Sequence, residues 1–219
     1  MVSQCDSVRV IEAFHASPVA GIQTFHRACH FGSRRQALAA VGAHFWLDYP
    51  ARKVTPVYLY QVTITVGANA LLDGPAQWGA LGASGIALEL NALSQHPRAA
   101  HLRWELPPAE RSIVFLHAAA TSDDGGRAEA FWQRHLPAVT PAGVQVLRYI
   151  NTSAFDQLCP QAYCVLDPAV VGIRTVAQVP VNDVIEATYL HADHADGRRA
   201  MAAYCRDHQL RTNDWLRGG

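Results

Sequence analysis

The chain has 219 residues, half of them hydrophobic, and its 18 basic residues are balanced by 18 acidic ones. A chain of this length and composition can bury a complete hydrophobic core. Zero net charge argues against a protein that binds nucleic acid mainly through phosphates, because such binding needs a basic surface.

Cysteine usage and hydropathy indicate a reducing compartment and no membrane span. The five cysteines are odd in number and include no Cys-x-x-Cys pair, so they predict neither a disulfide scaffold nor a zinc knuckle. The sequence shows no signal-peptide pattern and no apolar run of about 18 residues. We therefore expect a cytoplasmic protein, or one delivered into another cell without a cleaved signal peptide. The single lysine, Lys53, is typical of a GC-rich genome, with an effector acting inside another cell as the alternative.

The first half of the chain predicts a strand, a helix and a second strand. Residues 8–14 are rich in β-branched side chains and end shortly before Ser17-Pro18, which is typical of a strand. Ser33 and Gln36 form a capping-box pattern, and apolar residues at helical spacing behind it predict a helix over 34–47. Residues 56–66 alternate in the manner of a central strand.

The second half predicts helices first and then a return to strands. Residues 71–85 are glycine-rich and predict a loop with a helical turn, and helices are expected over 86–93 and 127–136. Three β-type runs follow, over 144–150, 162–166 and 173–179. After Pro180 a helix is expected, with Asn182 or Asp183 as its cap. Strands at both ends with helices between them predict an α+β fold rather than a doubly wound one.

Two short sequence motifs in the first half contain candidate functional side chains. Phe14-His15-Ala16-Ser17 places a histidine and a small hydroxyl residue at the end of a strand, where they offer hydrogen-bonding groups to a sugar edge. This motif resembles the His-Gly-Thr motif of the ADP-ribosyltransferase superfamily. The second motif, His30-Phe31-Gly32-Ser33, resembles the His-Phe-Gly-Thr helix start in the polyvalent-toxin-like branch of that superfamily. Residues 146–151 and 163–168 resemble the Val-Tyr-Arg-Asn and Tyr-Ile-Val-Phe-Asp-Pro strands of that branch, in the same order.

The resemblance implies a split β-sandwich with peripheral helices, in which NAD lies as substrate in the cleft between two small sheets. It implies that His15 hydrogen-bonds the ribose next to nicotinamide and that Ser17 lies at the same strand end. It places His30 and Phe31 in the aromatic wall of the nicotinamide pocket, and Asn151 among the NAD-binding residues. The reaction would proceed through loss of nicotinamide by an oxocarbenium-like state, helped by an acidic residue.

The sequence departs from the family in that acidic residue. The position before the closing strand, where many relatives carry glutamate, is Ala162 preceded by Gln161, and Thr152 stands at the position that is acidic in the polyvalent branch. Asp156, in the loop between the two strands, is the first candidate for the catalytic acid. Glu186 is the second, provided that the C-terminal helix folds back over the cleft.

These observations lead to one principal interpretation. We expect residues 1–181 to form an ADP-ribosyltransferase-like domain and residues 182–219 a C-terminal helical appendage packed on or near it. The predicted activity is NAD-dependent transfer of ADP-ribose to a protein side chain, in a bacterial toxin or effector. The alternatives are a transferase of the same fold acting on nucleic acid or a small molecule, and a catalytically inactive binding module. No metal site is predicted, because two histidine pairs are better explained by chance, namely His26 with His30 and His191 with His194.

Overall fold

The computed structural model describes residues 7–47, 55–74, 81–120, 125–151, 160–189, 202–203 and 205–207. Its strands are β1 (Val8–Ser17), β2 (Cys29–Phe31), β3 (Val57–Gly67), β4 (Leu71–Asp73), β5 (Val146–Ile150), β6 (Gln161–Val165) and β7 (Val171–Val179). Its α-helices are α1 (Arg34–Leu47), α2 (Ala83–Ser94), α3 (Pro108–Ala120), α4 (Gly125–His135) and α5 (Val181–Tyr189). Residues 202–203 and 205–207 are also helical.

The strands form two separate sheets. One has three antiparallel strands in the order β1-β3-β7, so β3 is its central strand as the alternation predicted. The other has four strands in the order β2-β6-β5-β4, and its short edge strand β4 runs parallel to β5. One pair of backbone hydrogen bonds joins the sheets, from Phe14 N–H to the Gly32 carbonyl at 2.8 Å and from Gly32 N–H to the Phe14 carbonyl at 3.0 Å.

The two sheets bury a common core between them. Side chains at every second position of β3 point toward the other sheet, and Val62, Ile64 and Val66 are buried there. From the four-stranded sheet, Val146 and Val165 join the same apolar cluster. The arrangement is therefore a sandwich of two small sheets.

Helices cover the outer faces of both sheets. Helices α1 and α5 pack together on the three-stranded sheet, against Val57 and Leu59. Helices α2, α3 and α4 cover the four-stranded sheet, where their cluster includes Leu147 and Cys164. The α+β fold is thus confirmed. No helix in the described ranges combines the length and the apolar character needed to cross a bilayer.

Helix α1 begins where the capping-box pattern predicted. The Ser33 hydroxyl accepts a hydrogen bond from Gln36 N–H at 3.2 Å, and the Gln36 side-chain oxygen accepts one from Ser33 N–H at 2.9 Å. The two bonds satisfy backbone donors that the first turn of a helix leaves without partners. The predicted bounds of 34–47 are those of the structure.

The cap prediction for the C-terminal helix was wrong. Helix α5 begins at Val181, so Asn182 and Asp183 lie in its first turn and neither caps it. Asp183 instead pairs with Arg34 of α1 at 2.6 Å. Val184, Ile185 and Cys205 are buried in the cluster that α5 shares with α1, so α5 and Cys205 pack against this helix layer.

Candidate functional site

His15 lies on the face of β1 that points toward the other sheet. In the register of the three-stranded sheet it is opposite Tyr60, a fully buried residue of the core between the sheets. Its ring lies 5.1 Å from Phe25 in an edge contact, 5.6 Å from Phe31 and 6.5 Å from Tyr60, between ring centroids. The structure thus brings together residues from β1, β2, β3 and the loop after β1.

A hydrogen bond to the backbone fixes the tautomer of His15. Its Nδ1 lies 3.0 Å from the carbonyl oxygen of His30 and 3.5 Å from the Cys29 sulfur. Because a carbonyl only accepts hydrogen bonds, Nδ1 carries the proton and Nε2 carries the lone pair. Burial lowers the pKa of His15, which keeps the ring neutral at pH 7. Nε2 has no hydrogen-bond partner among the described residues, so it is available to accept a donor from a ligand.

The aromatic rings around His15 are held in place by the loop between β1 and β2. The Tyr60 hydroxyl donates to the Val19 carbonyl at 2.8 Å and accepts from Ile22 N–H at 3.1 Å. Phe25 contacts Phe31 edge-on at 4.9 Å, and the two side chains are only 5% and 2% exposed. Little surface of either ring is therefore open to a ligand in this structure.

Ser17 lies on the same face of β1 as His15, two residues further along. It is buried, and its hydroxyl accepts a hydrogen bond from Val19 N–H at 3.1 Å. This local bond turns the chain out of the strand. A ligand that contacts the Ser17 hydroxyl would therefore bind a group that already accepts the Val19 N–H bond of this turn.

His30 and Phe31 point to opposite faces of β2, because successive residues of a strand alternate. Phe31 lies in the core between the sheets, whereas His30 faces Tyr149 and Leu81 on the helix-covered side. Nε2 of His30 donates to the Leu81 carbonyl at 2.7 Å, and Nδ1 accepts from the Tyr149 hydroxyl at 2.7 Å. The two side chains do not form one aromatic wall, and His30 contributes only its backbone carbonyl to the His15 site.

Asn151 directly follows β5 and is buried, with its backbone N–H donating to the Pro160 carbonyl at 3.0 Å. Strand alternation assigns it to the side of β5 on which Tyr149 lies. Of the two candidate acids, only Glu186 lies in the described part of the chain, and it is not near His15. Asp156 lies outside the described residues, and Glu186 is exposed on α5, which packs on the opposite face of the three-stranded sheet.

Three residues have positions or contacts near the site that the sequence patterns did not predict. Phe25 has no periodic pattern around it, and only its contact with His15 reveals it. Tyr60 lies on the central strand β3 and is fully buried, and its hydroxyl holds the loop after β1. Gln161 begins β6 on the face that points toward the other sheet, and the Tyr163 hydroxyl lies 3.4 Å from its side-chain oxygen.

A cavity of about 700 Å³ lies beside the site, on the cleft side of the three-stranded sheet. Its walls include Gly21 and Ile22 of the loop after β1, together with Tyr58, Val176 and Gln178. Tyr58 is the register partner of Ser17, so the cavity is next to the strand end that carries His15. Its volume is in the range of small-molecule sites.

Within the described ranges, no group of three or more His, Cys, Asp or Glu residues is placed to hold a metal ion. His26 is exposed and lies 2.8 Å from the carbonyl of its neighbour Arg27, while both ring nitrogens of His30 are used as described above. His191 and His194 are outside the described residues.

The chain was compared with protein-family models, with curated proteins and with solved structures. None of these comparisons gives a match.

Proposed function

We propose that this protein is an NAD-dependent ADP-ribosyltransferase that modifies a protein side chain, and that it acts as a toxin or effector. The proposal rests on the hydrogen bonding of the neutral His15 ring. Its Nδ1 is tied to the His30 carbonyl, and its Nε2 lone pair is without a partner among the described residues. The His15 ring lies between two small sheets, and Tyr58, the register partner of Ser17 at the same end of β1, lines a cavity of about 700 Å³. This arrangement is consistent with a cleft that takes a dinucleotide.

His15 would bind and orient rather than react. A neutral imidazole with a free Nε2 accepts a hydrogen bond from a ribose hydroxyl, and the fixed Nδ1 bond sets the direction of the ring. In the reaction, the bond between nicotinamide and ribose breaks, and nicotinamide leaves with the electron pair. A side chain of the target protein forms the new bond to the ribose carbon and releases a proton. The proposed stabilising acid is Asp156, because Glu186 lies on α5, behind the other face of the three-stranded sheet.

A catalytically inactive binding module is the second candidate. It is favoured by the residues at the start of β6, where Gln161 faces the cleft and Ala162 is buried on the helix side. Neither residue is an acid, and Glu186 lies on a helix behind the other face of the three-stranded sheet. Such a module would still bind NAD through His15.

The binding experiment uses a variant that separates structure from ligand contact. In His15→Asn the side-chain amide occupies the place of Nδ1 and can still donate to the His30 carbonyl, but nothing replaces Nε2. Loss of a buried hydrogen bond costs about 1–3 kcal/mol, so NAD affinity measured by calorimetry should fall about tenfold or more. The exposed His101→Ala should bind NAD as the wild type does. Equal affinity in a folded His15→Asn protein would refute the pocket.

The activity experiment decides between transferase and module. The wild type, Asp156→Asn and Glu186→Gln are incubated with labelled NAD and a cell lysate, and the label is located on protein, nucleic acid or small molecules. Removal of the catalytic carboxylate should lower turnover far more than NAD affinity. Full activity in Asp156→Asn would contradict the proposed acid, and Glu186→Gln should keep full activity as the control variant. NAD binding without any transfer or hydrolysis by the wild type would favour the module.

A further inference from the structure

A second cavity, of about 490 Å³, lies between α2 and α3, away from the sandwich cleft. Arg111, in the first turn of α3, lines it and is only 5% exposed. Its Nε and Nη1 atoms are buried and have no hydrogen-bond partner among the described residues. Burying a charged guanidinium with unpaired N–H donors costs free energy of folding. A ligand that accepts hydrogen bonds from these donors would offset that cost.

The described residues that line the cavity supply no negative charge to Arg111. None of the residues that line the cavity is acidic, and burial alone lowers the pKa of the guanidinium. The flat face of the group stacks on Trp104, with 4.6 Å from the guanidinium carbon to the ring centroid. Stacking leaves the in-plane N–H donors of an arginine free for an oxyanion.

The backbone carbonyls at the C-terminal end of α2 do not pair with the Arg111 guanidinium. The carbonyls of Ala92 and Leu93 already accept hydrogen bonds from Gln95 N–H and from His96 N–H, and the Asn91 carbonyl accepts one from the Ser94 hydroxyl at 2.6 Å. These are the carbonyls that an arginine would otherwise cap. An anion bound in the cavity could therefore pair with the positive charge of Arg111.

We propose that this cavity binds an organic carboxylate, with the Arg111 guanidinium as its anion partner. One cation and no second basic residue among the lining residues match a single negative charge better than a doubly charged phosphate. The side-chain amides of Asn91 and Gln95 line the cavity and can donate additional hydrogen bonds. Phe115 and Leu116 supply an apolar wall for the carbon part of the ligand.

The test uses benzoate and acetate as probes, with uncharged benzamide and inorganic phosphate as comparisons, in calorimetric or NMR titrations of the full chain at constant ionic strength. Benzoate should bind the wild type at least tenfold more tightly than benzamide does. Arg111→Met keeps the length of the side chain on Trp104 and removes the charge, so it should bind benzoate at least tenfold more weakly. His15→Asn, far from this cavity in the fold, should bind benzoate as the wild type does.

A second variant guards against misfolding of Arg111→Met. Asn91→Asp is nearly isosteric and puts a carboxylate on the cavity wall, so it should raise the melting temperature and weaken benzoate binding at least tenfold. The proposal is overturned if neither benzoate nor acetate binds, if benzamide binds as tightly as benzoate, or if the variants bind benzoate unchanged. Tighter binding of phosphate than of either carboxylate would overturn the choice of a carboxylate.

Discussion

The two histidines at the junction of the sheets should make this protein sensitive to mild acid. His30 uses both ring nitrogens in its neutral form, with Nε2 donating to the Leu81 carbonyl and Nδ1 accepting from the Tyr149 hydroxyl. His15 donates from Nδ1 to the His30 carbonyl. Burial lowers the pKa of both rings below the ordinary value of 6.5. In the unfolded chain both rings recover that ordinary value.

The sign of the effect follows from proton uptake. Below pH 6.5 the unfolded state binds protons that the folded state does not, so stability is present above that pH and is lost as the pH falls. The slope is at most about 1.4 kcal/mol per pH unit for each histidine. Between pH 7 and pH 5 this sums to at most about 2 kcal/mol for each ring, or about 4 kcal/mol for the pair.

Urea denaturation at pH 7 and pH 5 measures this loss directly. In His15→Asn one titrating ring is absent while a donor to the His30 carbonyl is retained, so the loss between the two pH values should be smaller by up to about 2 kcal/mol. The exposed His101→Ala should lose as much stability as the wild type. An unchanged loss in His15→Asn, or a wild type that is more stable at pH 5, would refute the reasoning.

Two further substitutions test the helix layers by urea denaturation. A Cβ at Gly42 would lie 1.9 Å from the Thr188 hydroxyl oxygen, so Gly42→Ala should destabilise by about 1–3 kcal/mol despite its better helix propensity. That cost should shrink in a Thr188→Ala background, and additive effects of the two changes would contradict the contact. Glu129 accepts hydrogen bonds from two N–H groups at the start of α2, at 2.9 and 3.3 Å, so Glu129→Gln should destabilise by about 1 kcal/mol. The exposed Glu12→Gln should have little effect, and equal losses from both changes would contradict the capping role.

The elements with strong local patterns were predictable from the sequence. The capping box gave the start of α1, and the alternation of 56–66 gave β3 within one residue at each end. Strands β2 and β4 were not predicted, because three residues carry too little periodicity to be recognised. Each of these strands forms by pairing with a neighbour in the sheet: β2 pairs with β6, and β4 pairs with β5.

The same division holds for the candidate site. Sequence motifs alone singled out His15, Ser17 and Phe31, and strand alternation does put His15 and Ser17 on one face of β1. The tautomer of His15 and its contact with Phe25 depend on β2 lying against β1, which no local pattern encodes. The separation of His30 from Phe31 also needed the register of β2 on β6, because only the packed sheet decides which residue of a pair faces the core. Local hydrogen bonding and periodicity thus determined the elements, and burial between two sheets decided which side chains meet.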